Sequence, residues 1–256
     1  MIRKILRKLQ KNGPTLKDYY LKKFESLTVL QSILKYADSS SESIGLSISD
    51  YVVLYEYVKK HKPKHVLECG TGKSTLVIAQ AMLENSIEDP VAFPMESMKL
   101  ISMENEPYWY EQSSKILPEK YRDFTEIHYS PLSTYTLSML NGVIYESIPQ
   151  YPYDFMFIDG PPQSIDSPLY ACDIDFIKYV NTSDKPVAAL IDNRKHTVLA
   201  CALAFGRDKV TFYPDLGIGH VSGVTKDDLN LGSAAVIRTT FFRDGTIKLN
   251  TKPFEA

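Results

Sequence analysis

The chain has 256 residues, 44% of them apolar and 23% charged, enough to bury a substantial core as one domain plus an N-terminal extension. A net charge of −2, with Lys and Arg dispersed beyond the N-terminal region, leaves no extended basic face for nucleic-acid phosphates. No apolar run approaches the roughly 20 residues that span a bilayer, the first residues lack the apolar core of a signal peptide, and Cys69, Cys172 and Cys201 fit neither a disulfide framework nor a zinc spacing, so a cytoplasmic protein is expected.

Residues 1–11 place Ile2, Ile5, Leu6 and Leu9 on one helical face and Arg3, Lys4, Arg7, Lys8 and Lys11 on the other. Such a basic amphipathic helix suits packing on its own domain or on a second copy, and alternatively contact with an anionic membrane surface. Residues 16–36 continue in helical period, and the polar run 37–43 is expected to be a loop, which puts the boundary of a helical extension at residues 1–44. Ser49 and Asp50 then cap a helix over 51–60, stopped by Pro63.

Residues 65–69 form a short apolar strand that contains Glu68 and is followed by Gly70 and Gly72, after which a helix opens at Ser74 and Thr75. The glycines allow a tight turn and the close approach of a ligand, while the free N–H groups of the first helical turn face the same space. Gly72-Lys73-Ser74-Thr75 looks like the end of a P-loop, so a nucleoside triphosphate is one candidate. The required first glycine is Leu67 here, however, and a carboxylate at 68 would repel the phosphates.

The helix is expected to end near Leu83, leaving 85–98 irregular. A second strand, 99–103, ends at Glu104, where a doubly wound nucleoside-binding fold places a carboxylate for the ribose hydroxyls. Strand three is expected at 125–129, strand four at 153–158 with Asp159-Gly160-Pro161-Pro162 as its exit, strand five at 186–191, strand six at 209–213 and strand seven at 234–240. Strands alternating with helices give an α/β fold, a doubly wound, mostly parallel seven-stranded Rossmann-like sheet.

Glu68, Gly70 and Gly72, the acid at 104 and the Asp-Gly-Pro-Pro exit, in that chain order, resemble the class I S-adenosylmethionine-dependent methyltransferases, and in particular a subset several of whose members act on sugars or polysaccharides. The resemblance covers roughly residues 45–250 and implies a methyltransferase domain over 45–256. It implies S-adenosylmethionine as cofactor, held by Glu68, Gly70, Gly72, Ser74, Thr75, Glu104, Asn105, Ser130 and Asp159, with Ser130 at the position that borders adenine.

Methyl transfer to a hydroxyl needs an acceptor held in line and a group that takes its proton. Asp159 is the first choice for that group and His196 the second, both on loops leaving the carboxyl edge, while Arg194 and His220 are expected to face the substrate. The expected activity is O-methylation of a sugar, glycan or other small hydroxyl acceptor. Asp159 with Asp192 and Asn193 also resembles the magnesium ligands of the catechol O-methyltransferase group, so magnesium is an alternative cofactor. A non-enzymatic cofactor-binding module on the same fold is the remaining alternative.

Overall fold

The computed structural model describes residues 14–40, 45–138, 140–161, 172–230 and 248–253. The amphipathic helix expected over 1–11, Pro162 of the strand-four exit and the strand expected over 234–240 lie outside them.

Three helices precede the sheet: α1 (Leu16–Phe24), α2 (Thr28–Ser40) and α3 (Ile48–His61). Then follow β1 (His65–Cys69), α4 (Lys73–Glu88), β2 (Lys99–Glu104), α5 (Pro107–Ile116) and β3 (Thr125–Tyr129). A hairpin, β4 (Leu132–Leu137) and β5 (Leu140–Tyr145), leads to β6 (Phe155–Ile158), α6 (Asp175–Val180), β7 (Val187–Asp192), α7 (Lys195–Phe205), β8 (Val210–Tyr213), β9 (Ile218–Val224) and the two-residue β10 (Lys248–Leu249). The main sheet runs β10-β8-β9-β7-β6-β1-β2-β3, seven full strands with β10 as a short edge. It is mostly parallel, with β9 antiparallel to both β7 and β8.

Period-two alternation divides the core. Val66, Leu100, Phe155, Phe157 and Leu190 face α1, α2, α3 and α4. Leu67, Cys69, Ile101, Met156, Ile158 and Ile191 face α6 and α7. Both faces of β1 are therefore covered, and a strand buried on two sides reads as the continuous apolar run seen in the sequence. The Asp154 carboxylate accepts the N–H groups of Lys64 and His65 at 2.9 and 3.1 Å, which aligns the start of β6 with that of β1. Among the described residues no helix is long and apolar enough to cross a membrane.

Four expectations change. The polar run after Tyr36 is helical as far as Ser40, because Ala37 is fully buried and anchors α2 on the core. The helix expected to be continuous over 16–36 breaks at 25–27. The segment after Leu83 stays helical to Glu88, since the Asn85 amide is buried and donates to the carbonyl of Val58 at 2.9 Å. His220, expected on a loop, lies within the strand β9.

Candidate functional site

The strand order reverses at β1: the chain leaves it towards β2 on one side and returns as β6 on the other. Open α/β sheets bind ligands at such a switch point, outside the carboxyl ends of the strands. Here that point is the meeting of Gly70 and Gly160. Gly70 has φ +95°, and a Cβ added to it would stand 2.8 Å from the Gly160 nitrogen. One added to Gly160 would stand 2.6 Å from the Gly70 Cα, so the two exit loops pack as closely as backbone can.

Glu68 lies directly under the β1 exit and is completely buried. Ser102, its register partner on β2, donates to Oε2 at 2.6 Å, and Thr75 in the first turn of α4 donates to the same oxygen at 2.5 Å. The Ser74 hydroxyl also bonds the carboxylate. Burial nevertheless raises Glu68 to about 7, helped by repulsion from Asp159 and opposed by these hydroxyls, and Oε1 has no hydrogen-bond partner. Thr75 Oγ1 further accepts the Gly72 N–H at 3.1 Å. Ser74 and Thr75, expected to contact a cofactor, are 4% and 1% exposed and instead fasten the glycine turn from below.

Glu104, at the end of β2, is nearly buried and is raised by burial. Its Oε1 accepts the N–H groups of Asn105 and Glu106 at 2.8 and 2.9 Å, and the carboxylate also takes the Thr71 N–H of the glycine turn. It is thereby aimed across the switch point. Asn105 is half-buried beside it, its amide donating to Glu106 at 3.1 Å. Ser130 departs from expectation: it is fully buried, its hydroxyl donating to the Pro131 carbonyl and accepting the Ser147 N–H, so it ties the base of the β4–β5 hairpin and presents nothing to a ligand.

Asp159 leaves β6 at the same edge with about a third of its side chain exposed. Burial lifts its carboxyl to about 6 against the opposing pull of Arg194, with Asp173 and Asp50 adding repulsion. Arg194, expected to face substrate, is a clasp: Nη2 donates to the Asp159 carbonyl, Nη1 to the Pro161 carbonyl at 2.6 Å and to Asp173 at 3.1 Å. Its two terminal nitrogens hold the Asp159-Gly160-Pro161 loop and pair the buried Asp173, while Nε, buried without a hydrogen-bond partner, lies 3.9 Å from Asp159 Oδ1. His196 is exposed in the first turn of α7 and joins none of these groups.

His220 is also displaced. It sits within β9, opposite Leu190, 3.4 Å from the Tyr57 hydroxyl on α3, and burial lowers it to about 4. Strand pairing on both sides of β9 buries a histidine that reads, between Gly219 and Ser222, as a loop residue.

Sequence reasoning missed Asp50 and Tyr51 as site residues. They begin α3, and Tyr51, raised by burial, feels Glu68 and Asp159, while its hydroxyl accepts the Leu46 N–H at 2.9 Å. Asp192, at the end of β7, is raised to about 8 by burial, by Asp159 and by Asp50. Among the described residues no group of three or more His, Cys, Asp or Glu side chains converges as a metal site. Lys73, the would-be phosphate lysine, is ion-paired with Asp38 at 2.6 Å.

No protein-family model matches the chain, and no curated protein matches it. Among solved structures it is similar to a putative O-methyltransferase from Klebsiella pneumoniae, at 19% identity over 66% of this chain and 68% of that one, TM-score 0.43. It is similar to an O-methyltransferase from Bacillus cereus, solved with SAH, at 16% identity over 67% and 69%, TM-score 0.42. A methyltransferase from Geobacter sulfurreducens aligns at 13% identity over 77% and 90%, TM-score 0.46.

Proposed function

We propose that this chain transfers a methyl group from S-adenosylmethionine to an oxygen of a sugar, glycan or other small hydroxylated acceptor. The observation that carries the reading is the grouping of Glu68, Glu104 and Asp159 around the Gly70–Gly160 contact at the switch point of the sheet. These residues fit the cofactor's chemistry. Glu68 puts negative potential under the turn and keeps Oε1 unpartnered, which suits a cation, while Glu104 is directed at the turn as a carboxylate for vicinal hydroxyls must be. When bound, S-adenosylmethionine supplies an electrophilic methyl group on a sulfonium.

The protein's part is positional and electrostatic. Asp159 accepts the proton of the acceptor hydroxyl; a carboxyl near 6 is ionised at neutral pH yet basic enough to serve. Arg194 fixes the backbone on which Asp159 stands, so the base does not swing with its loop. A nucleoside triphosphate is disfavoured because the buried acid lies under the turn and Lys73 is turned to Asp38.

Calorimetry on the full chain tests the reading. S-adenosylhomocysteine should bind and ATP with magnesium should not, and incubation with methyl-labelled cofactor and a set of glycans and hydroxylated metabolites should yield labelled product. Tight ATP binding would replace this function with a P-loop one. Cofactor binding with no transfer to any acceptor would leave a binding module.

A further inference from the structure

A cavity of about 420 Å³ opens beside the switch point, between the start of α3, the end of β7 and the turn before β9. Its lining is mainly polar and includes Ser47, Asp50, Asp192 and Asn193, with Lys17 and Asp215 among the exposed groups. Asp50 and Asp192 are each only 7% exposed. Asp50 is held in place by the Ser47 hydroxyl at 2.6 Å and the Ser49 hydroxyl at 3.2 Å. Asp192 differs: its Oδ1 is buried and has no hydrogen-bond partner.

Burial keeps the Asp192 carboxyl mostly protonated at neutral pH, so a cation that binds it takes the place of that proton, and a desolvated oxygen without a donor is costly until a ligand supplies one. Three carboxylates, Asp50, Asp159 and Asp192, repel one another here. Arg194, the nearby guanidinium, bonds Asp173 and two carbonyls through its terminal nitrogens and only partly offsets Asp159 and Asp192. Lys17 offsets Asp50, and Lys195 also lines the cavity, but both lysines are exposed and act through solvent, where a charge is worth several-fold less than in the interior. The lining of the cavity thus carries two buried carboxyl groups and, among the described residues, no buried cation.

We propose that this cavity is the acceptor subsite and that it takes a polyhydroxylated amine, with the ammonium at the Asp192 and Asp50 carboxyl groups and the hydroxyls on the polar lining. The assignment rests on the methyl-transfer reading for the word acceptor, but the binding chemistry stands apart from it. An ammonium suits the site better than a divalent metal. It offers three donors that reach separated oxygens, whereas a metal needs several oxygens in one tight shell, and no such convergence of acids exists among the described residues.

The test is a calorimetric titration of the full chain with the glucosamine disaccharide, its N-acetylated form and the neutral glucose disaccharide, each with and without S-adenosylhomocysteine. The amine should bind at least about tenfold more tightly than either neutral sugar, the scale of one charge-assisted contact. Asp192→Asn should erase that preference while leaving S-adenosylhomocysteine affinity and cooperative unfolding intact, and Asp50→Asn should weaken it. Equal binding of the three sugars, no detectable binding, or a preference that survives Asp192→Asn overturns the proposal. So does an amine preference that disappears with chelator and returns with magnesium, which would make the occupant a metal. Failure of S-adenosylhomocysteine to bind while the amine preference holds would remove the methyl-transfer reading and leave the ammonium site standing.

Discussion

Replacing Thr75 by valine keeps the shape of the side chain and removes one hydroxyl, and the structure says what that hydroxyl does. It donates to Glu68 at 2.5 Å, accepts from the Gly72 N–H at 3.1 Å and lies 3.1 Å from the Ser102 hydroxyl. Losing a hydrogen bond to an ionised carboxylate costs about 1.5–3 kcal/mol, and a neutral one about 0.5–1.5 kcal/mol. The Gly72 N–H loses its partner as well, so Thr75→Val should destabilise the protein by roughly 2–4 kcal/mol at pH 8, where Glu68 is charged. The loss depends on pH because Glu68 titrates at about 7 in the folded protein against 4.5 ordinarily. A carboxyl raised on folding imposes no penalty below its unfolded value and an increasing one as pH climbs to the folded value. At pH 5.5 the folded-state carboxyl is mostly neutral, the missing bond is a neutral one, and the loss should shrink by about 1 kcal/mol or more. Urea unfolding of wild type and variant at the two pH values measures this, with an unchanged slope and a shifted midpoint. An equal loss at both pH values, or a greater one at pH 5.5, would refute the assignment of Thr75 as the donor that holds Glu68 charged.

Asp159→Asn should leave S-adenosylhomocysteine affinity nearly unchanged and lower turnover by roughly 10²-fold or more, the usual scale for a general base; wild-type turnover should be indifferent to chelator, and full activity in the variant would reduce Asp159 to a loop residue. Gly70→Ala forces a Cβ to within 2.8 Å of the Gly160 backbone at φ +95°. It should cost roughly 1–3 kcal/mol or more in thermal stability and weaken cofactor binding together with it, since both exit loops must part.

The parts of the fold legible in the sequence are those whose physics is local. The strands β1, β2, β6 and β7 are apolar on both faces and end in an acid or a glycine turn, so runs such as residues 65–69 and 155–158 announce themselves. β9 does not, because Gly219, Ser222 and Gly223 interrupt its apolar residues and its stability comes from pairing with β7 and β8 rather than from propensity. The hairpin lies outside the main sheet: β4 is rich in Ser, Thr and Tyr and only partly buried, so neither period nor burial marks it, while β5 is apolar and buried but interrupted by Asn141 and Gly142. In the site, Glu68, Gly70 and Glu104 carry their meaning in sequence spacing. The roles of Ser102, Asp50 and Arg194 arise only from juxtaposition: Ser102 matters because β2 sets it opposite Glu68, and Arg194 because α6 and β6 bring Asp173 and the Asp159 carbonyl to one place. No spacing rule joins residues brought together by strand pairing alone.

The contact between Gly70 and Gly160 also bears on how the molecule assembles. Helices α3 and α4 and strands β1 to β3 are near neighbours in the chain, so their pairing closes short loops; β1 and β6 meet only after the whole β4–β5 hairpin has been bridged. The crevice is therefore expected to be among the last features to form and, in native-state hydrogen exchange, the seam along which the two halves first part. A ligand seated there would act as a fastener between an early half and a late half, slowing unfolding rather than speeding folding.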